Sequence, residues 1–155
     1  MGIHLKDSEL WAYVSAAHTA VLTTLRRDGW PVALPVWFAV VDRLIYVKTF
    51  PTLVKAKRIV HDSRASFVVQ DGEAWTELRA VTMSTTAELL PEGLEADAAR
   101  HALAAKYPPD IDVPVHRLPE ASRAYYGAED VIIRLTPTSK PISWDNSRLR
   151  LLPAD

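Results

Sequence analysis

The pattern of apolar and polar positions changes period several times along the chain. Leu10, Val14 and Ala17 share one helical face behind Asp7, a favourable N-cap, which predicts a helix over residues 7–18. The period then shortens. Ala20 to Arg26 reads as a strand, and Arg27-Asp28-Gly29 as a turn. From Pro31 to Val41 the residues alternate, with Val32, Leu34, Val36, Phe38 and Val40 on one face and Ala33, Pro35, Trp37 and Ala39 on the other. Both faces are apolar, so this strand is expected to be buried on both sides. Pro31 and Pro35 cannot donate to a ladder, which implies an irregular or unpaired edge.

Asp42-Arg43 marks the next turn, Leu44–Thr49 a third strand and residues 52–61 a helix. Residues 64–70 form a fourth strand, Asp71-Gly72 a turn and residues 75–90 a long fifth strand. Residues 93–107 read as a helix stopped by Pro108 and Pro109. Residues 114–126 read as another helix, interrupted by Pro119. Residues 130–136 are a clear strand, and residues 139–145 a short seventh candidate. Closely spaced strands with helices inserted rather than alternating predict a mainly β fold. The expected form is a six-stranded antiparallel barrel with flanking helices.

Length and composition narrow the function. With 155 residues, 48% hydrophobic and 24% charged, a single domain spanning residues 1–155 is expected. The net charge of −1 lacks the basic excess that phosphate neutralisation requires, which argues against a nucleic-acid partner. There is no cysteine, so disulfides, thiolate nucleophiles and cysteine-ligated metals are excluded. The uncharged run of residues 29–41 contains two prolines and falls short of the ~20 residues of a membrane helix. No apolar stretch with a small-residue cleavage site follows Met1, so a cytoplasmic protein without membrane association is expected. The five glycines are too scattered for a dinucleotide fingerprint, a P-loop or a nucleophile elbow. The five histidines show no i, i+4 pair, and no metal site is expected.

One segment carries candidate chemistry. Thr52 follows Pro51 as a favourable N-cap, yet Lys55, Lys57 and Arg58 follow where a capping box would place Glu or Gln. Cations in a first turn oppose the helix dipole. Together with a hydroxyl and free N–H groups they make an anion site, although a solvated basic face accounts for the same residues. Thr49 and Phe50 end the preceding strand, and Trp37 lies on its neighbour in the meander. Aromatic walls beside an anion site suit a flat ring bearing a phosphate. On spacing alone, ordinary barrel core is the favoured reading of Trp37 and Trp75.

Several stretches resemble the pyridoxamine 5′-phosphate oxidase-like superfamily of FMN-binding split barrels. They are Ala20-Val21-Leu22-Thr23-Thr24-Leu25, Asp28-Gly29-Trp30-Pro31, Pro35-Val36-Trp37-Phe38 and Leu44-Ile45-Tyr46-Val47-Lys48-Thr49. Lys55-Ala56-Lys57-Arg58-Ile59 and Asp62-Ser63-Arg64-Ala65-Ser66 continue the resemblance, with Ala87-Glu88-Leu89 and Ile142-Ser143-Trp144-Asp145 behind them. The resemblance implies a six-stranded Greek-key split barrel that forms a homodimer, with a flavin or deazaflavin in each of two clefts between subunits. It assigns the cofactor phosphate to Lys55, helped by Lys57, beside the Thr52 hydroxyl that the helix start already offers. Thr49, Phe50, Val36 and Trp37 would line the cleft, and Trp75 would lie near it.

The implied activity is an oxidoreductase that uses FMN or the 8-hydroxy-5-deazaflavin coenzyme F420 to move a hydride to or from a small organic substrate. A flavin or haem carrier of the same fold is the alternative, with His61 as the nearest axial candidate, and a cofactor-free dimeric scaffold is a third reading. Arg148-Leu149-Arg150 departs from the Arg-x-His pair with which the true oxidase contacts pyridoxamine phosphate. Residues 114–126, ending in Tyr125-Tyr126, are expected to shape the opening to the cleft, and no protein side chain is required as acid or base.

Overall fold

The structure, a computed structural model, describes residues 3–108, 113–127 and 129–152. Among these residues, four helices, α1 (Asp7–Ala16), α2 (Val54–His61), α3 (Leu94–Lys106) and α4 (Glu120–Tyr126), surround one antiparallel sheet. Its strands are β1 (Ala20–Leu25), β2 (Pro31–Val36), β3 (Ala39–Val41), β4 (Leu44–Thr49), β5 (Arg64–Asp71), β6 (Arg79–Leu89), β7 (Val131–Pro137) and β8 (Ile142–Asp145). The order is β2-β1-β5-β6-β7-β4-β3, with β8 added along β6. The two ends of that path, β2 and β3, are consecutive in the chain, so the sheet curls round into a split half-barrel.

Inside the curl, Leu22, Phe38, Ile45, Phe67, Val81, Met83, Ile133 and Leu135 form the main core, closed by Leu10 and Val14 of α1. Phe38 meets Phe67 edge-to-face at 4.9 Å. A second apolar cluster forms where Ala96, Ala99 and Leu103 of α3 cover Ala39, Tyr46 and Ile132. The β3–β4 turn places Asp42 and Arg43 at φ of 50° and 65°, as a two-residue hairpin requires.

The expected strand over residues 31–41 is two strands. Phe38 turns inward to complete burial, and its backbone N–H and C=O both meet the Tyr107 hydroxyl instead of a ladder partner. Nor is this segment buried on both faces: β2 is an edge strand, with Leu34 40% exposed beside Trp30 at 69%. The expected fifth strand starts later, at Arg79. Residues Trp75–Glu77 form a 3-10 turn, and the Leu78 carbonyl accepts from Asn146 N.

α2 starts at Val54, because Leu53 N donates to Phe50 O and closes a turn across Pro51-Thr52. Leu53 therefore holds the N-cap position, and Thr52 is exposed rather than capping. The segment after α3 contains a 3-10 turn at Val115–Arg117, and Pro119 is the N-cap of α4. Pro109 and the side chain of Tyr125 lie outside the described residues. Among the described residues, no helix is long and apolar enough to cross a membrane.

Candidate functional site

A groove of about 720 Å³ opens between the β2–β3 corner, β4, the start of α2, the last turns of α3 and the segment at Pro114-Val115. Its aromatic wall is built by the corner. The Trp37 indole stacks on the Tyr107 ring at 4.6 Å between centroids and 1° between planes. His18 meets both rings edge-on, at 5.8 Å and 5.2 Å. The Tyr107 hydroxyl accepts from Phe38 N at 3.0 Å and lies 2.7 Å from His18 O and 3.0 Å from Phe38 O. Its single proton serves one carbonyl at a time. Burial pushes this phenol above its ordinary pKa, opposed by the Phe38 N–H bond, so it stays protonated at neutral pH.

Charge is distributed unevenly along the groove. Lys48 and Lys55 line it, and among the described residues neither is paired with a carboxylate. Burial lowers the pKa of the Lys55 ammonium. A desolvated cation without a counterion gains from an incoming anion. Arg100 also lines the groove, but Glu92 at 2.7 Å and Asp130 at 2.7 Å neutralise it. The anion-seeking end is therefore the one at Lys48 and Lys55. Just behind the aromatic wall, the Lys106 Nζ sits 3.8 Å from the Phe38 ring centroid, without a hydrogen-bond partner among the described residues. Desolvation brings its pKa down to about 8.

Of the residues expected from sequence, the groove brings together Val36, Trp37 and Lys55. Thr49 follows Lys48 on β4 but points inward: it is 2% exposed, and its Oγ1 is buried without a partner among the described residues. Phe50 meets Tyr126 of α4 edge-to-face at 5.4 Å, so the end of the segment expected to shape the opening packs on the strand end. Thr52 is exposed outside the groove. Lys57 faces a different cleft, described below. Trp75 lies at the β5–β6 connection, 61% exposed, and its carbonyl accepts from Asn146 Nδ2 at 2.7 Å. His61 is also outside the groove, which has no histidine among its lining residues.

Sequence reasoning missed Lys48, Tyr107 and Arg100. Lys48 was visible as the one charge in β4. Nothing in the sequence shows that Tyr107, at the far end of α3, returns to the β2–β3 corner.

The anion-seeking end is chemically suited to a planar group that carries an anion, since ammonium groups without a carboxylate partner among the described residues line the same groove as a stacked aromatic wall. Solved structures share the fold at low identity. A conserved hypothetical protein of Mycobacterium tuberculosis is 24% identical, with 99% of this chain and 94% of that one covered and a TM-score of 0.78. An FAD-binding protein of Mesorhizobium loti is 20% identical, with 90% and 94% covered and a TM-score of 0.67. The haem storage protein HutZ of Vibrio cholerae is 14% identical, with 92% and 96% covered and a TM-score of 0.68. No curated protein matches the chain. Residues 7–137 match the family profile described as pyridoxamine 5′-phosphate oxidase, and the chain belongs to that family.

Proposed function

We propose that this protein binds a phosphorylated flavin-type cofactor, FMN or the 8-hydroxy-5-deazaflavin coenzyme, in the groove and transfers a hydride to or from a small organic substrate. The observation that carries this reading is one groove holding both the Trp37–Tyr107 stack and Lys48 and Lys55, which have no carboxylate partner among the described residues. When bound, the cofactor supplies the hydride chemistry. The protein's own residues bind and orient it. Lys55 and Lys48 would hold the phosphate charge, and Trp37 would offer an aromatic wall to the ring. Tyr107 keeps the corner rigid, and Val115 closes part of the groove wall.

The substrate is a different one from pyridoxamine phosphate. Arg148, in the late Arg-Leu-Arg segment, is committed to Glu9 and Asp145 and donates to the His4 carbonyl, so it is not free to hold a substrate phosphate.

A homodimer is part of the proposal. β2 leaves an open edge with Leu34 and Trp30 exposed, a surface that a second copy would cover. Trp75 lies away from its own groove and would approach a cofactor only from such a partner.

Titrating the purified protein with FMN and with the deazaflavin coenzyme, read by absorbance and fluorescence, tests the reading. Saturable binding that turns over an acceptor supports it, and no binding of either cofactor overturns it. A flavin carrier of the same fold is the second reading, since the same groove would hold the cofactor without turnover. Cofactor bound without turnover of any acceptor would select that carrier.

A further inference from the structure

A second cleft, of about 320 Å³, lies between the end of β1 and α2. It shares no lining residue with the Trp37 groove. Val54, Lys57, Arg58 and His61 recur at i, i+3, i+4 and i+7, so they form one stripe along α2. Ala56 and Ile59 occupy the buried side. Lys55 and Lys57 stand about 200° apart around the helix axis, which is why the two lysines serve different cavities. Across the cleft, Arg26 and Arg27 complete the wall at the β1–β2 turn.

Most of the positive charge in this cleft has no carboxylate partner among the described residues. Arg26 pairs with Asp28 at 2.9 Å, but among the described residues Arg27, Lys57 and Arg58 have no carboxylate partner. The nearby Asp62 is taken by Arg64 at 2.8 Å. Elsewhere Arg43, Arg79, Arg100, Arg134 and Arg148 sit on carboxylates, while Arg117, Arg123 and Arg150 have no carboxylate partner among the described residues. What sets the cleft apart is that three such cations line one concavity. Three cations held around one concavity without acids favour an anion of two or more charges, and guanidinium forks match the oxygens of a phosphoryl group.

We propose that the cleft between Arg26-Arg27 and the Lys57-Arg58 face of α2 is a separate binding site for a multivalent phosphoryl oxyanion. The site does not rest on the cofactor reading, because neither Lys55 nor the aromatic wall takes part in it.

Backbone amide chemical shifts of the isotope-labelled full chain test this, with inorganic pyrophosphate as the probe in a phosphate-free buffer of low salt. The expected result is saturable shifts at residues 26–29 and 54–61. The midpoint should rise at least about tenfold in the Lys57→Gln/Arg58→Gln double variant. Unperturbed amides in the barrel core report that the variant is folded. An arm with ADP distinguishes free from esterified phosphate: equal midpoints mean that the cleft reads the phosphates alone, and a lower one means that the esterified group adds contacts. Absence of saturation, shifts confined to Trp37, Lys48 and Lys55, or an unchanged midpoint in the double variant would each overturn the proposal.

Discussion

The Tyr107 hydroxyl oxygen lies 3.0 Å from the Phe38 backbone nitrogen, a bond that spans 69 positions and pins the corner where β2 becomes β3. Phe38 is fully buried there, so its N–H has no water to turn to. The same contact brings the Tyr107 ring under Trp37. One side chain thus sets both the break in the strand and the wall of the groove.

Removing that hydroxyl should therefore be costly. Tyr107→Phe leaves a buried donor unsatisfied, which costs about 1–3 kcal/mol. Urea denaturation should show the loss, with a Tm lower by several degrees. Unchanged stability would mean that the corner is held by packing alone.

Loss of a groove lysine should weaken the cofactor. Lys55→Ala removes a charge-assisted bond worth roughly 1.5–3 kcal/mol, equivalent to about a tenfold to hundredfold higher Kd. Lys48→Ala should act in the same direction, and Lys57→Ala should change the Kd little. Equal affinities in wild type and Lys55→Ala, for FMN and for the deazaflavin coenzyme alike, would refute the phosphate role.

The Lys106 ammonium makes stability depend on alkaline pH. Its folded pKa is about 8 against an ordinary value of 10.5, so between these values the unfolded chain binds more protons. Stability from this group accordingly rises as pH goes from about 8 towards 10.5. The Phe38 ring face offsets part of the desolvation. Lys106→Met should raise the Tm at pH 7 and flatten that rise. The comparison is variant against wild type, because Tyr13 and Tyr46, both pushed up to about 12, act in the opposite direction at higher pH. An identical pH profile in the two proteins would contradict the assignment.

The open edge of β2 predicts self-association. Sedimentation should give about twice the chain mass of 17.3 kDa, and Leu34→Glu should shift the protein towards the monomer by placing a charge on the covered face. A wild type that sediments at 17.3 kDa at micromolar concentration would remove the dimer and the role given to Trp75 with it.

Period and punctuation in the chain were enough to locate most elements and the family. Strand alternation, the Asp-Gly and Asp-Arg turns and the Pro108 stop are local properties, and local properties are written in consecutive residues. Lys55 was also legible, since a cation early in a helix breaks the usual charge order. Long-range contacts carried no such trace. The split at Phe38 depends on a hydroxyl from the far end of α3. The α2 boundary depends on a backbone bond across Pro51-Thr52, which displaced Thr52 from its expected cap. Apolar residues on both faces of residues 31–36 read as buried, because alternation reports side-chain polarity and not whether a neighbouring strand exists. Lys55 and Lys57 looked like one cluster in sequence, yet two residues of helical rotation direct them into separate cavities.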